Sequence, residues 1–149
     1  IRFFTYEGGK WTWILYDTDL AFIHYTDDTV WQHLSPQGTD EGNHTSTILI
    51  NALLENNAYR DAFLKRMAWQ INNIWSEENI SAHIQKITAQ VEPVMDREFA
   101  RWHNTRKRWQ EHINALYAFA QQRNGYLIPY IQEYFDLSDA EMRQYGFPI

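Results

Sequence analysis

Two carboxylates one residue apart, Asp17 and Asp19, stand where an apolar run ends: Trp11-Thr12-Trp13-Ile14-Leu15-Tyr16-Asp17-Thr18-Asp19-Leu20-Ala21-Phe22. Five of the six residues before Asp17 are apolar or aromatic, which reads as a buried strand. Alternation along an extended chain sends Asp17 and Asp19 to the same side. Carboxylates at a strand end are hard oxygen donors that suit Mg²⁺ or Ca²⁺. In phosphoryl transfer, an acid in such a place holds the metal that bridges the phosphates. The competing reading is structural: Asp17 caps a turn and Asp19 is solvated. Residue type and spacing leave both open.

The elements that must position this pair follow from the surrounding pattern. Residues 1–25 read as β-rich. Runs at 1–6 and 11–16 flank Glu7-Gly8-Gly9-Lys10, and Gly-Gly between two such runs signals a hairpin. Residues 26–43 are polar, carry Pro36, Gly38 and Gly42, and read as a long loop with one helical turn at 30–34. From about residue 44 the period becomes helical. Ile48, Leu49, Ala52 and Leu53 form one stripe, and Tyr59, Phe63, Met67, Ile71 and Ile74 a second. Ser76 is an N-cap for a third helix carrying Ile80, Ile84, Ile87 and Val91, which Pro93 breaks or kinks. Met95, Phe99 and Trp102 mark a fourth segment. Trp109, Ile113, Leu116 and Ala120 mark a fifth, expected to stop at Asn124-Gly125. A short aromatic helix at 126–135 follows, and Ser138-Asp139-Ala140-Glu141 has capping-box spacing for a last turn. Trp69, Trp75, Trp102 and Trp109 are expected in the core. The whole predicts a single, mainly α domain over 1–149, of α+β class: a β hairpin at 1–25 packed on a helical bundle at 44–149, with a loop at 26–43.

Composition narrows the functions open to such a domain. The 149 residues are 16% aromatic, enough for a real core. The net charge is −6 and the pI about 5.4, which argues against nucleic acid or an anionic membrane as partner. The dense basic run Arg106-Lys107-Arg108 sits between acids and reads as a solvated helix face. Cysteine is absent, so disulfides, thiolate nucleophiles and Cys-type zinc sites are excluded. No apolar run reaches the length of a membrane span. The chain opens on Ile1 and enters an aromatic run at once, which reads as the cut end of something longer, so targeting signals are not expected within it.

The residues resemble the C-terminal part of the CotH-type (spore-coat protein H) kinase family. Its strand motif, Trp-Asp-x-Asp followed by a small residue, an aromatic and Gly, is matched by Tyr16-Asp17-Thr18-Asp19-Leu20-Ala21-Phe22-Ile23. Further pieces follow in order: Leu53-Leu54 with Asn57, Tyr59-Arg60, Phe63 and Arg66; Ser76-Glu77-Glu78 with Ile80, Ile84 and Ile87; Glu92-Pro93-Val94-Met95 with Arg101-Trp102; and Trp109 with Ile113, Phe119 and Arg123. The resemblance implies the C-terminal lobe of an atypical protein-kinase-like fold. It further implies Mg²⁺ (or Mn²⁺) and ATP as cofactors, a secreted or coat protein as substrate, and a place in the cell envelope or spore coat. Asp17 would be the metal ligand and Asp19 a second ligand or a loop-ordering group, with Asp27 and Asp28 available to a hydrated metal shell. Two departures stand out. Ile23 replaces the family's Gly. The ten residues before Trp11 hold no nucleotide-gripping Lys in a strand and no phosphate cradle, so the chain alone is expected to be inactive.

Other constellations are weaker. Histidines at 24, 33, 44, 83, 103 and 112 form no metal-ligand spacing; His103 reads as closing a helix end and His112 as surface. No GxSxG occurs. Glu92, Asp96 and Glu98 read as a solvated face. Asn43-His44-Thr45 and Asn79-Ile80-Ser81 match the glycosylation acceptor pattern. Arg60 and Arg66 read either as anchors for the preceding loop, through Asp40 or Glu41, or as exposed cations. The rival functions are a non-catalytic kinase-like interaction module of a spore-coat or cell-surface assembly, and a carbohydrate-associated surface protein.

Overall fold

A computed structural model describes residues 2–10, 12–14, 21–35 and 44–149. In chain order the elements are β1 (Arg2–Phe4), β2 (Thr12–Ile14), α1 (Thr29–Leu34), α2 (His44–Leu54), α3 (Asn57–Asn73), α4 (Glu77–Trp102), α5 (Arg106–Tyr134) and α6 (Asp139–Tyr145). The molecule is mainly helical. The expected hairpin packed on the bundle is not what is seen. The described strands are three residues each, pair antiparallel with Arg2 opposite Ile14, and leave Phe4 and Tyr6 exposed. Between them the Gly9 N–H donates to the Tyr6 carbonyl at 2.8 Å, with Gly8 at φ +72°. That third turn position is one a residue with a Cβ resists.

Capping explains where the helices begin. Asn56, Ser76, Thr105 and Ser138 each accept a backbone N–H from the first turn of the helix that follows. At Ser138 the reciprocal half of the capping box also forms, as the spacing dictates: Glu141 accepts from the Ser138 N–H at 2.8 Å and from its hydroxyl at 2.6 Å. These bonds, the hydroxyl's first, draw the Glu141 carboxyl below its ordinary value. α4 ends at His103, whose left-handed φ of 53° turns the chain toward α5, the helix-closing role its position suggested.

Two expected breaks are absent. α4 runs through Pro93, and α5 runs through Asn124, Gly125 and Pro129 as one helix of 29 residues. Pro93 has no N–H for the carbonyl of Ala89, but both residues are exposed, so water reaches the freed oxygen. Pro129 likewise frees the carbonyl of Gly125, which is exposed and has no side chain to shield it. Gly125 has no positive φ. It is a tolerated interior glycine rather than a helix stop. Antiparallel packing of α4 on α5 outweighs these local preferences.

The core joins α1, α3, the C-terminal part of α5, α6 and the tail: Val30, Leu64, Ala68, Ile71, Leu127, Ile128, Ile131, Phe135, Leu137, Met142 and Phe147. Leu64 and Met142 are wholly buried. α4 buries no residue fully. The tryptophans expected inside are displaced outward: Trp69 lies 44% exposed beneath the Arg66 guanidinium, and Trp102 is 66% exposed with its Nε1–H donating to Glu98. Trp75 is also exposed, and Trp109 is half-buried. A stripe of ring types at helical spacing marks a face, but cations and carboxylates can cover that face in place of a core.

The helix ends and breaks are open to measurement. Pro93→Ala restores a donor to the Ala89 carbonyl and should raise unfolding free energy by about 1–3 kcal/mol in urea titrations; unchanged stability would mean that the helix has already relaxed around the ring. Glu141 binds its proton less readily folded than unfolded, so its stabilisation is present above the unfolded value and is lost as pH falls through the folded one. The thermal midpoint of the wild type should therefore drop more steeply than that of Glu141→Gln between about pH 6 and about pH 3, read by circular dichroism.

Candidate functional site

The best-organised polar site is the docking of residues 21–29 onto α5, and Arg123 is its centre. Phe119, Arg123, Tyr126 and Tyr130 recur at steps of four, three and four, which places them on one face of α5. Each meets the segment that follows the acid pair. Phe119 makes an edge-on contact with Phe22 at 4.9 Å. Tyr126 lies 5.8 Å from Tyr25. The Tyr130 hydroxyl donates to the Thr26 carbonyl at 2.7 Å. The Arg123 guanidinium donates to the carbonyls of Tyr25 and Asp27, both at 2.7 Å, and to the Thr29 hydroxyl at 2.5 Å.

Arg123 is only 8% exposed. Among the described residues no carboxylate lies within ion-pair distance of it. Burial pulls its pKa below the ordinary arginine value, while Tyr130, Asp27 and Asp28 push the other way. Three oxygen acceptors therefore stand in for the water the cation has lost. The Asp27 carbonyl is doubly used, since it also accepts from the Thr29 N–H at 2.9 Å. The Asp28 carboxylate accepts from the Trp31 N–H at 2.9 Å and so caps α1. That cap uses one of the two carboxylate oxygens.

Beside the clamp lies a cavity of about 420 Å³ with almost wholly apolar walls, among them Phe22, Val30, Phe63, Met67, Trp75 and Leu127. Arg123 and Asn124 bring polar atoms to it, and Asn124 also donates to the Trp75 carbonyl at 2.8 Å. Trp75 was expected in the core and instead lines this cavity. Phe22, one of the lining residues, has a left-handed φ of 64°. A residue with a Cβ adopts this at a cost of about 1–2 kcal/mol, which contact with Phe119 offsets.

Asp17 and Asp19 lie outside the described residues, as do Asp40 and Glu41. Among the described residues no group of three His, Asp or Glu side chains could hold a metal ion. Arg60 instead donates to the Phe135 carbonyl at 2.8 Å and lies over its ring at 5.5 Å, holding the end of α5. Glu92 and Asp96 take up Arg106 at 3.2 and 2.8 Å across the α4–α5 turn, beside the basic N-terminus of α5. They form a solvated face, with no acid/base pairing.

A family model described as CotH kinase protein matches residues 3–127. The chain belongs to the CotH family. The match spans the acid pair and includes Phe119, Arg123 and Tyr126 of the α5 face, stopping before Tyr130. No curated protein and no solved structure matches the chain. Among the described residues no helix of this CotH-family chain is long and apolar enough to cross a membrane.

The sequence contained one signal for the Arg123 clamp that went unread. An arginine in register with Phe119, Tyr126 and Tyr130 marks a single helical face, but a helix stop at Asn124-Gly125 divides that face between two elements. Arg123→Met should lower unfolding free energy by about 3 kcal/mol in denaturant titrations, because the carbonyls of Tyr25 and Asp27 lose a charged donor while remaining shielded from water. A loss below about 0.5 kcal/mol would show that water replaces the guanidinium freely.

Proposed function

We propose that this chain forms the metal-side, helical portion of an atypical kinase-like domain that transfers phosphate from ATP to a hydroxyl of a secreted, envelope or spore-coat protein. The observation that carries the reading is the CotH kinase match over residues 3–127, which includes Tyr16-Asp17-Thr18-Asp19. Two carboxylates are the donor chemistry that Mg²⁺ or Mn²⁺ prefers. Asp17 is assigned as metal ligand and Asp19 as second ligand or loop-ordering group. The metal would neutralise charge on the ATP phosphates during transfer. This chain's own part is to present the acids and to keep the segment behind them fixed. Residues 1–10 supply neither a strand lysine nor a glycine-rich phosphate cover.

The second reading, a kinase-like module that binds a partner without catalysis, is favoured by one observation. The family's flexible Gly is Ile23 here, and the neighbouring left-handed position falls on Phe22.

Phosphate transfer by the full-length protein with ATP and Mg²⁺ or Mn²⁺ separates the two. Asp17→Ala should lower the rate on the order of a thousandfold, since a phosphate-bridging metal supplies several kcal/mol to the transition state. Equal transfer by both proteins would remove Asp17 from the mechanism, and no transfer by the wild type would leave the interaction module.

A further inference from the structure

We infer that the apolar cavity beside the Arg123 clamp is a binding site for a small organic anion, a carboxylate carried on an aromatic or alkyl body. The site is independent of the kinase reading. It uses neither acid of the pair, and it would stand in a chain that transfers no phosphate.

Size and lining define the body of the ligand. At about 420 Å³ the cavity falls within the range of about 300–1,000 Å³ that small-molecule sites occupy. Four aromatic residues, Phe22, Phe63, Trp75 and Phe119, line it together with Met67 and Leu127. They come from the docked segment, α3, the link between α3 and α4, and α5. Phe22 and Trp75 remain exposed although both border the cavity. Rings that meet water across a concave surface favour an apolar body that displaces that water.

Charge defines the head. Among the described lining residues Arg123 is the one fixed charge, and no carboxylate is present. Arg123 is more than nine-tenths buried, and no described carboxylate forms an ion pair with it. Its three hydrogen bonds go to neutral acceptors and use three of the five N–H groups that a guanidinium carries. Asp27 and Asp28 ease its charge from a distance, but neither lines the cavity, and Asp28 is engaged in capping α1. A buried cation with unused donors attracts an anion strongly, because little water screens the pair. Asn124, next along α5, donates one amide N–H to the Trp75 carbonyl and has a second with no partner among the described residues. One guanidinium among apolar walls suits a single negative charge. It does not match the several charges of a nucleoside triphosphate, which would remain desolvated and unpaired.

The test is calorimetric titration of the full-length protein with 1-naphthylacetate and with its neutral counterpart, 1-naphthylacetamide. The carboxylate should bind, and the amide should bind about tenfold more weakly for want of the charge. Arg123→Gln keeps an amide donor but removes the cation, and should bring the two ligands to equal affinity. Ala21→Trp changes an exposed lining residue and leaves the clamp intact, so it keeps the test open if Arg123→Gln does not fold. Its indole should fill the cavity and abolish binding of both ligands. Saturable binding of the carboxylate that Ala21→Trp removes supports the site. No saturation by about 1 mM, or unchanged binding in folded Ala21→Trp, overturns it. Equal affinity of the wild type for acid and amide overturns the assignment of an anion. Displacement of naphthylacetate by Mg²⁺–ATP would make the cavity part of a nucleotide site and overturn the proposal as well.

Discussion

A buried guanidinium has to replace the water it has lost, and at Arg123 that requirement organises the docking of residues 21–29 on α5. Its fork faces two carbonyls and a hydroxyl of the segment following the acid pair. An unmet guanidinium in an apolar surround is strongly unfavourable, so the segment and α5 are obliged to meet in one register. Phe22 on Phe119 and Tyr25 near Tyr126 then fill the space on either side. The apolar cavity beside this seam is lined by Phe22 and Val30 from the docked segment and α1, by Leu127 from α5, and by Phe63, Met67 and Trp75.

The seam needs a rigid support, and the core supplies it from an uneven part of the chain. Leu127, Ile128, Ile131 and Phe135 pack against α3 and α6, immediately C-terminal to Arg123. The family match stops at residue 127, yet Ile131, Phe135, Met142 and Phe147 all belong to the core. The part of the chain beyond the matched segment thus anchors the helix that presents Arg123. Asn72 reinforces the closure by donating to the Gly146 carbonyl at 2.7 Å, and Tyr145 does so by donating to Asp61 at 2.7 Å. At the other end, α4 and the first half of α5 form an antiparallel pair tied by Arg106 to Glu92 and Asp96. These charges are half exposed or more, so the pair contributes orientation more than stability.

Local chemistry was legible wherever a residue acts on its own neighbours. Ser76 and Ser138 cap because a hydroxyl accepting an N–H three residues on needs nothing from the rest of the fold. The start of helix near 44 was legible from the helical spacing of Ile48, Leu49, Ala52 and Leu53, which is also local. Breakers were misread. Proline and glycine raise the energy of a helix without forbidding it, and exposed positions along a packed helix pair absorb that rise at Pro93, Gly125 and Pro129. The tryptophans were misread because periodicity identifies a face but not what covers it; Arg66 covers Trp69, and water meets most of Trp102.

By itself the sequence determined a mainly helical chain, the caps that start its helices, the exclusion of cysteine chemistry, a paired-carboxylate motif and membership of the CotH family. These depend on covalent composition and on contacts within a few residues. Only the tertiary structure decided that residues 21–29 dock on α5, that Arg123 is buried among carbonyls, and that Trp75 looks into a cavity. Those outcomes depend on contacts between residues far apart in the chain. Which of the possible partners a buried cation finds is set by how two distant elements are brought together, and no local pattern records that distance.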